Sequence, residues 1–170
     1  MKNHKLLLVL LFGITIQSCC LPPFECNDDF IDTVSAYEPV FLNRVDFEKS
    51  VLLKNKLPIG TSGKIYVKDD LLFINELNKG FHVFDNSDPA NPAALQFLEA
   101  PGSTDLAIRN SMIYINQATD LIAVEYNAAN NTVSLAKRIP NTFPELQSPD
   151  GFYAYDIPEN SVVVDWILKN

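Results

Sequence analysis

The chain has 170 residues, with 13 Lys and Arg set against 21 Asp and Glu, for a net charge of −8. Nucleic-acid affinity rests largely on neutralising backbone phosphates, so this balance argues against nucleic acid as a partner, and anionic headgroups gain nothing from it either. Three cysteines and one histidine downstream of the N-terminal segment, His82, do not make a zinc site of the usual ligand count. No metal or other cofactor is expected.

The first segment, MKNHKLLLVLLFGITIQSCC, opens with Lys2 and Lys5 and continues as an almost unbroken apolar run from Leu6 to Ile16. A membrane-spanning helix needs about 20 apolar residues, whereas a secretory signal needs about 7–15. The run fits the second. Its end, Ile16-Gln17-Ser18-Cys19, resembles the lipobox of bacterial lipoproteins: an aliphatic residue, a small residue, then the cysteine that receives lipid. Gln17 is tolerable but not ideal before Ser18, and Cys20 is the poorer acceptor because Cys19 precedes it. The resemblance implies cleavage between Ser18 and Cys19, with residues 1–18 as signal peptide and a diacylglycerol thioether on Cys19. Two or more acyl chains anchor stably where one does not. The membrane is then a partner through the lipid, and the address is the cell envelope, in the outer membrane on its periplasmic or surface face. The alternative is an ordinary secretory signal followed by two incidental cysteines. Cys20 and Cys26 either pair across LPPFE, a loop stiffened by Pro22-Pro23, or stay unpaired.

Residues 19–36 read as an acidic tether without sustained periodicity, similar to the surface-export signals of Bacteroidota lipoproteins. From Tyr37 the texture changes to short apolar runs broken by Pro, Gly, Asn and Asp, as in an all-β domain over 37–170. Shifting the chain by 41 residues lays VKDDLLFINELNKGFHVFDN (67–86) on IRNSMIYINQATDLIAVEYN (108–127) without a gap. Val67 meets Ile108, Asp69-Asp70 meets Asn110-Ser111, and Leu72-Phe73-Ile74-Asn75 meets Ile113-Tyr114-Ile115-Asn116.

Within the first unit, strands are predicted at 64–68, 71–75, 81–85 and 94–99, the first two joined by the two-residue turn Asp69-Asp70. Its counterpart predicts strands at 105–109, 112–116, 121–126 and 132–138. Four short antiparallel strands per unit match one propeller blade. A third unit is expected from 151–155 and 161–167, helped by a strand around 40–45. Gly63-Lys64-Ile65-Tyr66-Val67, Leu72-Phe73-Ile74-Asn75 and Gly80-Phe81-His82-Val83-Phe84-Asp85-Asn86-Ser87-Asp88-Pro89-Ala90-Asn91-Pro92 resemble the LVIVD repeat. The second unit departs from it, with Leu121 for the glycine and Ala128-Ala129-Asn130-Asn131 for the Pro-marked turn. The resemblance implies antiparallel β-propeller-like repeats. The length from Tyr37 to Asn170 allows about three four-stranded blades, fewer than the four to eight of a closed ring, and so an incomplete or open propeller.

Asp85, Asn86 and Asp88 offer oxygens to calcium, but the EF-hand frame is missing, and Asp, Asn and Pro at these spacings are turn chemistry. His82 lies between Phe81 and Val83 and is expected on the less buried face of its strand; any Ser-His-Asp or Cys-His arrangement has to run through it. The pairs Asp28-Asp29 and Asp69-Asp70 fall in the tether and in a hairpin turn, and no nucleophile-elbow, P-loop or dinucleotide fingerprint occurs. No catalytic residue is assigned. Phe152, Tyr153, Tyr155 and Trp166 cluster among prolines in the last third and are the candidate binding residues; the core of the third unit is the competing reading. The chain therefore reads as a lipid-anchored, non-catalytic binding or assembly module, acting through an envelope protein partner or self-association. The alternative is an envelope carbohydrate-binding protein or hydrolase using its aromatic and acidic loops.

Overall fold

A computed structural model describes residues 34–127, 130 and 132–170. Among them the chain is all-β with antiparallel sheets and one short helix. The folded unit begins at Ser35, two residues before the expected Tyr37. In chain order the elements are β1 (Tyr37–Asn43), α1 (Arg44–Lys49), β2 (Leu52–Asn55), β3 (Ser62–Lys68), β4 (Leu71–Glu76), β5 (Gly80–Asp85) and β6 (Ala93–Glu99). They continue as β7 (Ser103–Arg109), β8 (Met112–Gln117), β9 (Asp120–Asn127), β10 (Thr132–Ile139) and β11 (Ser161–Leu168). The first sheet has the order β2-β6-β5-β4-β3, the second β10-β9-β8-β7, and a two-stranded ribbon joins β1 to β11.

Local chemistry explains the two meanders. Lys68 pairs with Leu71 and Arg109 with Met112 across two-residue turns, whose first residues, Asp69 and Asn110, have φ of 52° and 55°. Asp and Asn tolerate this left-handed region where β-branched residues do not. The DNSDP segment is also a turn: Asp85 accepts the Ser87 N–H at 2.9 Å, and Asp88 accepts the Ala90 N–H at 3.1 Å and the Asn91 side chain at 2.9 Å. These carboxylates are spent on shaping the chain. Helix α1 starts because Asn43 caps it, accepting the Val45 N–H at 3.0 Å, and it ends at Ser50, whose N–H reaches back to the Phe47 carbonyl.

The two large sheets pack face to face around one core. The first sheet supplies Phe73, Phe81, Val83 and Leu98; the second supplies Leu106, Ile113, Ile115, Ile122 and Val124. Burying each of these side chains is worth about 1.5–3 kcal/mol, which makes this face the main stabilising contact. The repeat explains a further feature. Leu106, Ile108, Ile113 and Ile115 are the counterparts of Ile65, Val67, Leu72 and Ile74, yet the latter four lie on the opposite face of the first sheet, where Ile65 and Val67 are each 63% exposed. Equivalent faces thus point the same way around the stack, and one face of each sheet meets the unlike face of its neighbour.

The gapless sequence repeat conceals a slip. Glu76 pairs with Gly80 across three residues, whereas Gln117 pairs with Asp120 across two. The shorter turn moves β9 by one residue, so Asp120, not Leu121, takes the ladder position of Gly80. A one-residue shift exchanges the two faces of a strand. For that reason Ile122 and Val124 share the core face with Ile113 and Ile115.

Three expectations are corrected here. The third unit is not a four-stranded blade: β11 pairs with β1 alone, and no closed ring of sheets forms among the described residues. Residues 151–155 are not a strand, because Gly151 (φ 88°) turns the chain and Phe152 is held by Ser148, its N–H on Ser148 Oγ and its carbonyl on the Ser148 N–H, both at 2.8 Å. The strand expected around 40–45 ends at Asn43, where capping begins the helix.

Candidate functional site

The cleft with the densest chemistry opens where the end of the first sheet meets the β1–β11 ribbon and the loop between β2 and β3. Its volume is about 560 Å³, and apolar walls come from Val40, Leu42, Leu57, Phe97 and Val164. Glu76 and His82 line it between those walls.

Glu76 is the last residue of β4, and His82 lies across the turn on β5. Both are buried, His82 although it lies, as expected, on the outer and less buried face of its strand, in line with Ile65 and Ile74. The reason is tertiary: His82 is in the cross-strand row Ile65–Ile74–His82–Phe97, its ring is 4.9 Å from that of Phe97, and the cleft walls lie over that end of the row. Glu76 Oε2 accepts the Gly60 N–H at 2.9 Å and contacts His82 Nε2 at 3.1 Å, while Oε1 accepts the Thr61 N–H at 2.7 Å. Burial by itself raises the Glu76 pKa, but these donors more than offset it and hold the carboxyl below its ordinary value. An ionised carboxylate only accepts, so His82 Nε2 carries the proton of this contact. The pair is a clip between the β2–β3 loop and the β4–β5 hairpin.

Glu76→Gln is expected to cost about 1–3 kcal/mol, because the amide cannot serve three donors and turns one of its own N–H groups toward them. Urea denaturation measures the loss, and hydrogen exchange should quicken at Gly60 and Thr61 while β8 is unaffected. An unchanged midpoint with unchanged exchange would remove the clip.

A second buried carboxylate lies at the start of β9. Asp120 is fully buried and accepts Arg44 Nη1 at 3.0 Å and Nη2 at 2.5 Å, Arg138 Nη1 at 2.9 Å and the Asn141 N–H at 3.3 Å. Both guanidinium groups also sit over the buried Phe47 ring, at 5.4 and 5.0 Å. Burial raises the Asp120 pKa, but the two arginines and the Asn141 N–H together hold the carboxyl below its ordinary value. The cluster joins α1, β9 and β10 across the fold.

Of the candidate binding residues, Tyr153 and Tyr155 are exposed on the segment before β11, and Phe152 is half-buried beside them. Trp166 belongs to the core, donating Nε1–H to the Leu146 carbonyl at 3.1 Å. Trp166 is therefore buried while the two tyrosines are exposed. Ser18 and Cys19, with the signal segment, Cys20, Cys26, Asp28-Asp29 and the tether to residue 33, lie outside the described residues. Among the described residues no group of three or more His, Cys, Asp or Glu is placed to hold a metal ion, and no helix is long and apolar enough to cross a membrane. No family model, curated protein or solved structure matches the chain.

Sequence reading missed Glu76 and Asp120. The available signal was a single acid at each strand terminus, directly beside a turn and an apolar run. Their partners Gly60, Arg44 and Arg138 are too distant in sequence to be paired by inspection.

Proposed function

We propose that this chain is a non-catalytic binding or assembly module of a bacterial envelope, built on propeller-type blades and held at the membrane by lipid on Cys19. The observation that carries this reading is the saturation of both buried carboxylates. Glu76 is occupied by two loop N–H groups and His82, and Asp120 by two arginines and a backbone N–H. A general acid needs a proton to give and a general base an unengaged lone pair, whereas both carboxyls are held ionised and their oxygens are taken by structural donors. What remains open to a ligand is shape: the apolar cleft beside Glu76 and the outer face of the first sheet with Ile65 and Val67. Two face-to-face meanders support the blade reading, in which β1 and β11 form a reduced third unit; the proposed address is the outer membrane, by the lipid on Cys19.

Affinity capture of the tagged, lipidated protein from lightly cross-linked cells tests it. The expected result is one stoichiometric envelope protein, or a second copy of this chain, missing from a mock-tagged control. Turnover of an envelope polysaccharide, abolished by replacing one carboxylate in a protein that still folds, would overturn the non-catalytic reading. A Cys19→Ala chain that remains equally processed and equally membrane-bound would overturn the anchor.

A further inference from the structure

The described residues begin at Val34, and several exposed apolar side chains lie near that point. Ser35 and Ala36 are fixed there: Asp150 accepts Ser35 Oγ at 2.8 Å and the Ala36 N–H at 2.7 Å. On the other side, the Lys169 N–H donates to the Ala36 carbonyl and Lys169 Nζ to the Ser35 carbonyl, both at 2.9 Å. Tyr37 pairs with Leu168 in the ribbon. The exit of the N-terminal segment, the end of β11 and the 148–155 segment therefore share one end of the domain. That end carries Val34 (75% exposed), Leu168 (64%) and Tyr155 (82%), together with Ile167 and Tyr153. Asp150 is committed to the Ser35–Ala36 clip, its oxygens taken by neutral donors.

From these observations we infer that Tyr153, Tyr155, Ile167 and Leu168 form a docking surface for the bilayer interface, so that the domain rests on the membrane by the end from which its N-terminal segment emerges. This inference rests on the lipid-anchor reading above. Residues 20–33 separate Cys19 from Val34, and a chain of that length spans at most about 50 Å. An anchor at Cys19 holds the bilayer within that distance of this end of the domain. Tyrosine suits the boundary, with an apolar ring and a polar tip, and aliphatic side chains beside it add buried area. The contact is apolar, not electrostatic, which agrees with a chain too acidic to favour anionic headgroups. Tethering raises the local concentration of the surface, so side chains too few to bind alone suffice once the anchor is in place.

Hydrogen exchange tests this on the full-length chain, purified from membranes and reconstituted in vesicles of phosphatidylcholine and phosphatidylethanolamine. Exchange across residues 152–157 and 167–169 is expected to slow at least threefold relative to Cys19→Ala protein in buffer. Combined Tyr153→Ser, Tyr155→Ser and Leu168→Ser substitution should remove that protection while exchange in β5 and β8 stays as it was. Unchanged exchange in a lipidated, vesicle-bound chain would overturn the docking surface and leave the anchor standing. Protection found only when another protein copurifies would assign the surface to that protein and overturn it equally. An N-terminal peptide lacking the mass of lipid would sink the anchor, and the docking surface with it.

Discussion

Asp120→Ala is expected to destabilise the fold by about 3–5 kcal/mol, the usual cost of leaving a buried ion-pair partner uncompensated. The carboxylate is fully buried, and Arg138, itself nearly buried, already has an Nε without a hydrogen-bond partner in the structure. Removing Asp120 leaves Arg138 with only Gln117 and the Glu48 carbonyl. Arg44 is less trapped, because it is partly exposed and also pairs with Glu48 at 2.8 Å. Asp120→Asn keeps the shape and loses the charge, and should fall near the alanine variant if charge is what matters. Urea midpoints at neutral pH decide it; a loss below about 1 kcal/mol would mean that the arginines find other partners.

The same group fixes a pH dependence. The folded-state pKa of Asp120 is depressed, so its contribution is complete above the unfolded value of about 3.9 and is lost as pH falls through the lower folded value. Glu76 behaves likewise, from an unfolded value of about 4.3. Stability should therefore decline below about pH 4, and less steeply in Asp120→Ala.

The second large effect is expected at Gly80→Ala, at about 3 kcal/mol or more. Gly80 has φ of 149°, a conformation that L side chains rarely adopt and that costs about 1–3 kcal/mol. A Cβ there would also overlap the Leu98 carbonyl oxygen and approach Ala100 N to 3.1 Å, so the backbone of β6 has to give way. Directly after β6, the Ala100 N–H bonds to the Lys79 carbonyl at 2.9 Å and has to shift with it. Gly151→Ala is the control. Its φ of 88° is also left-handed, but no atom lies within 4 Å of the added carbon, so only the conformational cost of about 1–2 kcal/mol remains. Equal losses at the two positions would show that strain alone, and not the close approach of β6, accounts for Gly80.

Gly80 also shows where the repeat could mislead. By sequence, Leu121 replaces the glycine, as if the second unit tolerated a side chain in a position the first forbids. By pairing, Asp120 has that position, in a turn one residue shorter whose positive φ falls on Ala118 (49°) and not on Asp120.

What the amino-acid sequence determined by itself is the run of strands β3 to β10, whose bounds lie within about two residues of those read from the repeat. The reason is local: strand alternation is carried by neighbouring side chains, and Asp69, Asn110 and the DNSDP turn are shaped by bonds spanning a few residues. The tertiary structure decided which face each strand buries, since turn length sets register and a single residue reverses it. It alone paired β1 with β11 from opposite ends of the domain, put His82 under the cleft walls, and brought Arg44 and Arg138 onto Asp120. Arg44 and β1 reach their partners from the far end of the domain, and Arg138 reaches Asp120 from the neighbouring strand. These contacts depend on how strands, helix and ribbon assemble, which no short window of sequence contains.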